Sequence, residues 1–174
     1  YLIIKDFLMK LKPVLGGLAL AVVLAWGALV FLRQPMAPAL DLVDLRGEAI
    51  TSASLKGKVV LVNFWATSCV TCVREMPQLV ETFQKYREQG YDTLAVAMSY
   101  DPPDQVLAYA NKNELPFKVA LDVRGDVARD FGDILLTPTS FLIDRQGRII
   151  KRYLGEPDFA ELHRLVEQLL RQPV

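Results

Sequence analysis

Cysteine and histidine are scarce in this chain, which has two Cys and one His in 174 residues. A structural zinc site takes four N or S ligands, so a zinc centre lacks its ligand set, and two cysteines cannot build a framework of several disulfides. Charge of one sign is not concentrated anywhere. Twenty Lys/Arg balance twenty Asp/Glu, and no basic stripe marks a nucleic-acid surface. Internal repeats and low-complexity tracts are also missing, which argues against a solenoid or a disordered scaffold.

Apolar sequence, by contrast, is abundant. Residues 14–32 (VLGGLALAVVLAWGALVFL) form a run of nineteen without a charge, long enough as a helix at about 1.5 Å per residue to cross a bilayer core of about 30 Å. Lys5, Lys10 and Lys12 precede it and Arg33 alone follows closely. This bias keeps the N-terminus in the cytoplasm and exports the rest. Residues 1–33 are therefore expected to be a cytoplasmic stub and a signal anchor. A cleaved signal peptide is the competing reading, because Ala37-Pro38-Ala39 has the small-x-small form of a cleavage site. Residues 34–39 read as a linker too rich in proline to continue a helix. Residues 40–174 are expected to be one domain with a sufficient core of its own. Beyond Gln34 the chain carries 16 Lys/Arg and 19 Asp/Glu, a mildly acidic exported part.

The domain's pattern alternates. LDLV and EAIT around Gly47 predict a hairpin, and GKVVLVNFW (57–65) has the continuous apolar character of a strand buried on both faces. Met76, Leu79, Val80, Phe83 and Tyr86 recur at helical spacing up to Gly90. TLAVAMS (93–99) predicts a second buried strand, 104–113 an amphipathic helix, and 118–122 a short extended segment. One or two helical turns follow at 125–132. TSFLIDRQGRIIKRYLG (139–155) is the clearest hairpin, and Asp158 caps a last helix with Phe159, Leu162, Val166, Leu169 and Leu170 on one face. This order predicts a three-layer α/β domain with a mixed sheet.

Both cysteines stand in FWATSCVTCVREMP (64–77), two residues apart at the junction of a strand and a helix. There Cys69 meets the free N–H groups and positive dipole end of a helix, which favour a thiolate, while Cys72 lies one turn later and is expected to be more buried. Thiol–disulfide exchange in two steps then needs no cofactor. Two other readings stay open. A structural disulfide closing so short a loop would constrain the unfolded chain little. Cu(I) can be held by two thiolates alone, so a metallochaperone using Cys69 and Cys72 is the alternative function.

NFWATSCVTCVREMPQL, followed downstream by TPTSFLIDRQGRI, resembles the TlpA/ResA group of membrane-anchored thioredoxin-fold proteins, over about residues 38–171. The resemblance implies a thioredoxin-like α/β/α domain with an N-terminal hairpin. It also implies a cis bond at Pro138, placed against the cysteines, with the backbone of Thr137 pairing to an extended substrate segment. Glu75 matches an acid that assists proton transfer, although a first-turn acid complementing the helix dipole has the same spacing. Trp65 matches a tryptophan packed under the active site and joins Ser68, Thr137 and Pro138 in the expected substrate-binding set. Pro77 matches a proline that bends the active-site helix.

Departures from the group also stand out. Asn63 occupies the position of the buried aspartate of ordinary thioredoxins, Ser68 replaces a tryptophan, and Val70-Thr71 lacks the common proline. His163 reads as a boundary residue of the last helix. The implied function is a thiol:disulfide oxidoreductase at the inner membrane. Its catalytic domain is expected on the periplasmic or extracytoplasmic side, acting as a reductant in cytochrome c maturation or on copper-site cysteines. Its implied partners are an exported disulfide-bearing protein and a membrane thiol electron donor.

Overall fold

The computed structural model describes residues 34–173, so the apolar run at 14–32 and the membrane anchor expected from it lie outside the described residues. Among the described residues, no helix is long and apolar enough to cross a membrane.

After the 34–39 segment come a hairpin of β1 (Asp41–Val43) and β2 (Ala49–Thr51), and the short helix α1 (Ser52–Leu55). Gly47 makes the hairpin turn at φ +86°, a left-handed conformation that costs glycine little. The main sheet is built from β3 (Val59–Trp65), β4 (Tyr91–Ala97), β5 (Lys118–Leu121), β6 (Thr139–Ile143) and β7 (Ile149–Leu154). Its order is β5-β4-β3-β6-β7; β3, β4 and β5 run parallel, and β6 and β7 are antiparallel to their neighbours. Helices α2 (Val70–Tyr86), α3 (Pro103–Lys112), α4 (Asp126–Asp130) and α5 (Phe159–Leu170), with a 3-10 turn at Arg87–Gln89 after α2, complete the described elements. The mixed sheet expected from the sequence is present, and the strand and helix bounds differ from the expected ones by a few residues at most.

β3 is central and buried at every position. Its side chains alternate between two cores, as a strand's period of two dictates. Val59, Leu61 and Trp65 pack with Met76, Leu79 and Phe83 of α2, with Val106 of α3, and with Leu162 and Val166 of α5. Val60, Val62 and Phe64 pack with Ile50 of the hairpin, with Val127 of α4, and with Phe131 and Phe141. Three rings meet on that second side, with centroids 5.0–6.1 Å apart in edge-to-face geometry. α5 starts as expected: the Asp158 carboxylate accepts from the Ala160 and Glu161 N–H groups.

Candidate active site

β3 ends at Trp65, and α2 begins at Val70 with Cys69 as its N-cap. The intervening turn is tightly held. The Cys69 N–H donates to the Ala66 carbonyl at 3.1 Å. The buried Asp101 carboxylate accepts from the Thr67 N–H at 2.6 Å and from its hydroxyl at 2.5 Å. The strand–helix junction is thereby tied to the segment after β4, and the first cysteine is fixed at the helix end. In the sequence, Asp101-Pro102-Pro103 stands between the expected strand at 93–99 and the helix at 104–113. An acid directly before a helix normally caps that helix, so nothing local pointed to Thr67.

Cys69 and Cys72 are joined as a disulfide. Cys69 is half-buried and Cys72 fully buried. The Cys72 N–H points at Cys69 Sγ from 3.2 Å, so a free amide of the first helical turn faces the outer sulfur. That is the arrangement which favours its thiolate once the bond is reduced. On the other side, Cys69 Sγ lies 3.5 Å from the Thr137 carbonyl oxygen, and the Thr137–Pro138 bond is cis. Thr137 is half-buried, Pro138 is buried, and Ser68 is exposed at the rim. The Tyr100 hydroxyl sits 3.3 Å from Thr137 Oγ1.

Beneath this surface lies a buried polar set. Glu75 is fully buried, although it belongs to the first two turns of α2. Its Oε1 accepts from Asn63 Nδ2 at 2.9 Å, and the same nitrogen donates to Ser140 Oγ at 2.9 Å. Glu75 Oε2, Asn63 Oδ1 and Trp65 Nε1 are buried with no hydrogen-bond partner. Burial pushes the Glu75 carboxyl up to about 8, against the lowering effect of the Asn63 hydrogen bond. Ser140 was missed by sequence reading. The one available signal was a small polar residue inside an otherwise buried strand, TSFLI.

Trp65 is packed under the site, as the resemblance implies: its indole is fully buried with its ring 5.2 Å from that of Tyr109, so of the expected substrate-binding set it is the member that supports the site from below and offers no surface to a substrate. Pro77 lies inside α2 and leaves the Val73 carbonyl without its usual helical donor. His163 belongs elsewhere. Its Nε2 sits 2.9 Å from Thr82 Oγ1, whose proton goes to the Gln78 carbonyl, so the imidazole donates. Burial lowers its pKa. An apolar groove of about 340 Å³ lined by Met36, Leu40, Leu55, Val60 and Ile143 opens at the far end of β3 from the cysteines. Among the described residues, no three or more His, Cys, Asp and Glu side chains converge as a metal site.

The redoxin family model matches residues 33–169, which include every element of this site. The chain belongs to the redoxin family. Among curated redoxin relatives, thiol-disulfide oxidoreductase ResA of Bacillus thuringiensis subsp. konkukian is 37% identical over 134 residues, 76% of each chain. ResA of Bacillus anthracis is 35% identical over the same length and shares. Among solved structures, a thioredoxin-family thiol:disulfide interchange protein from Chlorobium tepidum superposes with a TM-score of 0.73 at 30% identity, covering 79% of this chain and 97% of that one. A candidate thioredoxin from Neisseria meningitidis gives 0.74 at 41% identity, covering 80% and 93%. This redoxin has the thioredoxin-like fold and is a thiol-disulfide oxidoreductase.

Proposed function

We propose that this redoxin is an anchored reductant of disulfides in exported proteins, with Cys69 as attacking nucleophile, Cys72 as resolving thiol and Glu75 as proton acceptor. The observation that carries the reading is the asymmetry of the pair, one sulfur reachable at a helix N-terminus and the other sealed beneath it. In the reduced protein the Cys69 thiolate attacks a partner disulfide. One partner sulfur leaves as a thiolate, and a mixed disulfide joins Cys69 to the other. Cys72 then gives its proton to Glu75 and attacks Cys69 Sγ, which re-forms the intramolecular disulfide and releases the second partner thiolate. Two electrons pass to the partner, and its two thiolates are protonated by the proton that Glu75 gives back and by one from solvent, into which Cys69 had released its own.

The Thr137 backbone, whose carbonyl lies beside the sulfur ahead of the cis bond, would pair strand-like with an extended partner segment. The rim around this backbone is apolar. Val70, Tyr100, Leu136 and Leu154 are all more than half exposed, and each adjoins Cys69, Thr137 or, across the β6–β7 ladder, Thr139. Such a rim suits a cysteine flanked by apolar residues in an unfolded or extended segment, as in an apocytochrome or an unloaded copper site. The apolar run at 14–32 would hold the domain at the outer face of the inner membrane. A membrane thiol donor would return it to the dithiol state, as a reductant in an oxidising compartment requires.

Trapping tests this directly. A Cys72→Ser variant produced in cells should accumulate mixed disulfides through Cys69, and mass spectrometry of the adducts names the partner. No adduct at normal expression, with tight stoichiometric Cu(I) binding and no reduction of a model disulfide, would support the metallochaperone instead.

A further inference from the structure

Glu75 has two carboxylate oxygens in unlike surroundings. Oε1 receives a hydrogen bond from an uncharged amide, and Oε2 has no partner. The amide is itself held. Asn63 Nδ2 has two protons, one directed to Glu75 and the other to Ser140 Oγ, both at 2.9 Å. β3 and β6 are paired at these residues, since Asn63 and Ser140 are register partners. The three side chains are fully buried, so water cannot replace a lost hydrogen bond without entering the core.

We infer that Asn63 is a positioning residue for the exchange reaction: it grips Oε1 with a neutral donor, leaves Oε2 free to take and release the proton, and is kept from turning away by Ser140. The inference rests on the proton-acceptor role given to Glu75 above. A cationic donor at position 63 would lock the carboxylate in its charged form, and an apolar residue would leave the buried charge with no donor at all. An amide does neither. It stabilises the anion enough for the acid to ionise in the range where thiols also titrate, and it adds no charge of its own.

The groups able to influence Glu75 are few. Arg74 and the two cysteines share its helix, and Arg74 pairs with Glu156 at 2.7 Å in the segment before α5. Glu156 raises the acid's pKa and Arg74 lowers it, both less than burial or Asn63 does. β3 and β6 present the uncharged Asn63 and Ser140, and beyond Ser140 the Tyr153 phenol stands across from it on β7.

The test is a ¹³C NMR titration of the Glu75 side-chain carboxyl in the oxidised protein, which needs no partner. It is paired with the pH profile of mixed-disulfide resolution in the reduced protein. Asn63→Ala should move the Glu75 midpoint to higher pH by about one unit or more, the scale of one hydrogen bond to a buried carboxylate. Ser140→Ala should move it the same way by less, and Ser140→Thr, which keeps the hydroxyl, should restore it. The resolution profile should follow each midpoint, whereas loss of packing alone would lower Tm and leave the midpoint in place. An unmoved midpoint in folded Asn63→Ala overturns the inference. Should that variant not fold, an unmoved midpoint in Ser140→Ala does so. A midpoint that moves while the rate profile stays fixed supports the grip of Asn63 on Glu75 and overturns the role of Glu75 in the exchange.

Discussion

The two faces of the central sheet are built from one strand and differ in kind. Toward α4 and the hairpin, β3 presents only the apolar Val60, Val62 and Phe64, and the core there is closed by three edge-to-face rings. Toward α2 it presents Leu61 and Trp65 with Asn63 between them. That face holds a buried acid, an amide with a free oxygen and an indole N–H with no partner. Buried polar atoms without partners destabilise a fold by roughly 1–3 kcal/mol each. The apolar face supplies stability, and the α2 face gives some of it up where the sulfur chemistry needs a proton acceptor.

Substitutions on the two faces should therefore separate activity from stability. Cys69→Ser should lower reduction of a model disulfide such as insulin by about 10³-fold or more, the scale on which loss of a nucleophile acts, with Tm little changed from that of the reduced wild type. Phe64→Ala on the opposite face should do the reverse. It removes a fully buried ring and should cost about 3–5 kcal/mol in urea denaturation, with the exchange rate per folded molecule preserved.

Glu75→Gln cuts across both. The folded pKa of about 8 exceeds the ordinary 4.5, so the acid opposes folding increasingly as pH rises from about 4.5 to about 8. Below that range it is protonated in both states and contributes nothing. Gln should thus stabilise the protein by on the order of 3 kcal/mol at pH 7, by more at pH 8 and by almost nothing at pH 4, while slowing resolution by Cys72. Denaturation at the three pH values checks the sign. A smaller effect is expected of Asp158→Ala, which touches neither sulfur: about 1 kcal/mol of stability from the lost cap of α5.

Much of this contrast was legible in the sequence. The apolar run of β3, the helical spacing of Met76, Leu79 and Phe83, and the Gly47 and Gly147 turns are local signals, and they fixed the order of elements. The cysteine pair was legible because its chemistry is local as well, a strand end meeting a helix start. Glu75 was visible as a residue, but its burial was not. The helix begins at Val70, so Glu75 lies in its second turn and not in the first turn where an acid would complement the dipole, and only the packing of α2 on β3 and β6 turns it inward. Ser140 and the Thr67–Asp101 tie are separated from their partners by 77 and 34 residues, and such long-range pairings leave no periodicity to read.

The account depends on unequal thiols in the reduced protein. Alkylation by iodoacetamide across pH 4–10, mapped by mass spectrometry, reads both at once. Cys69 should label with a midpoint well below the value of about 8.5 for a free thiol, with Cys72 protected until the protein unfolds. Labelling of Cys69 at the free-thiol midpoint, or of Cys72 first, would contradict the assignment of Cys69 as the attacking sulfur.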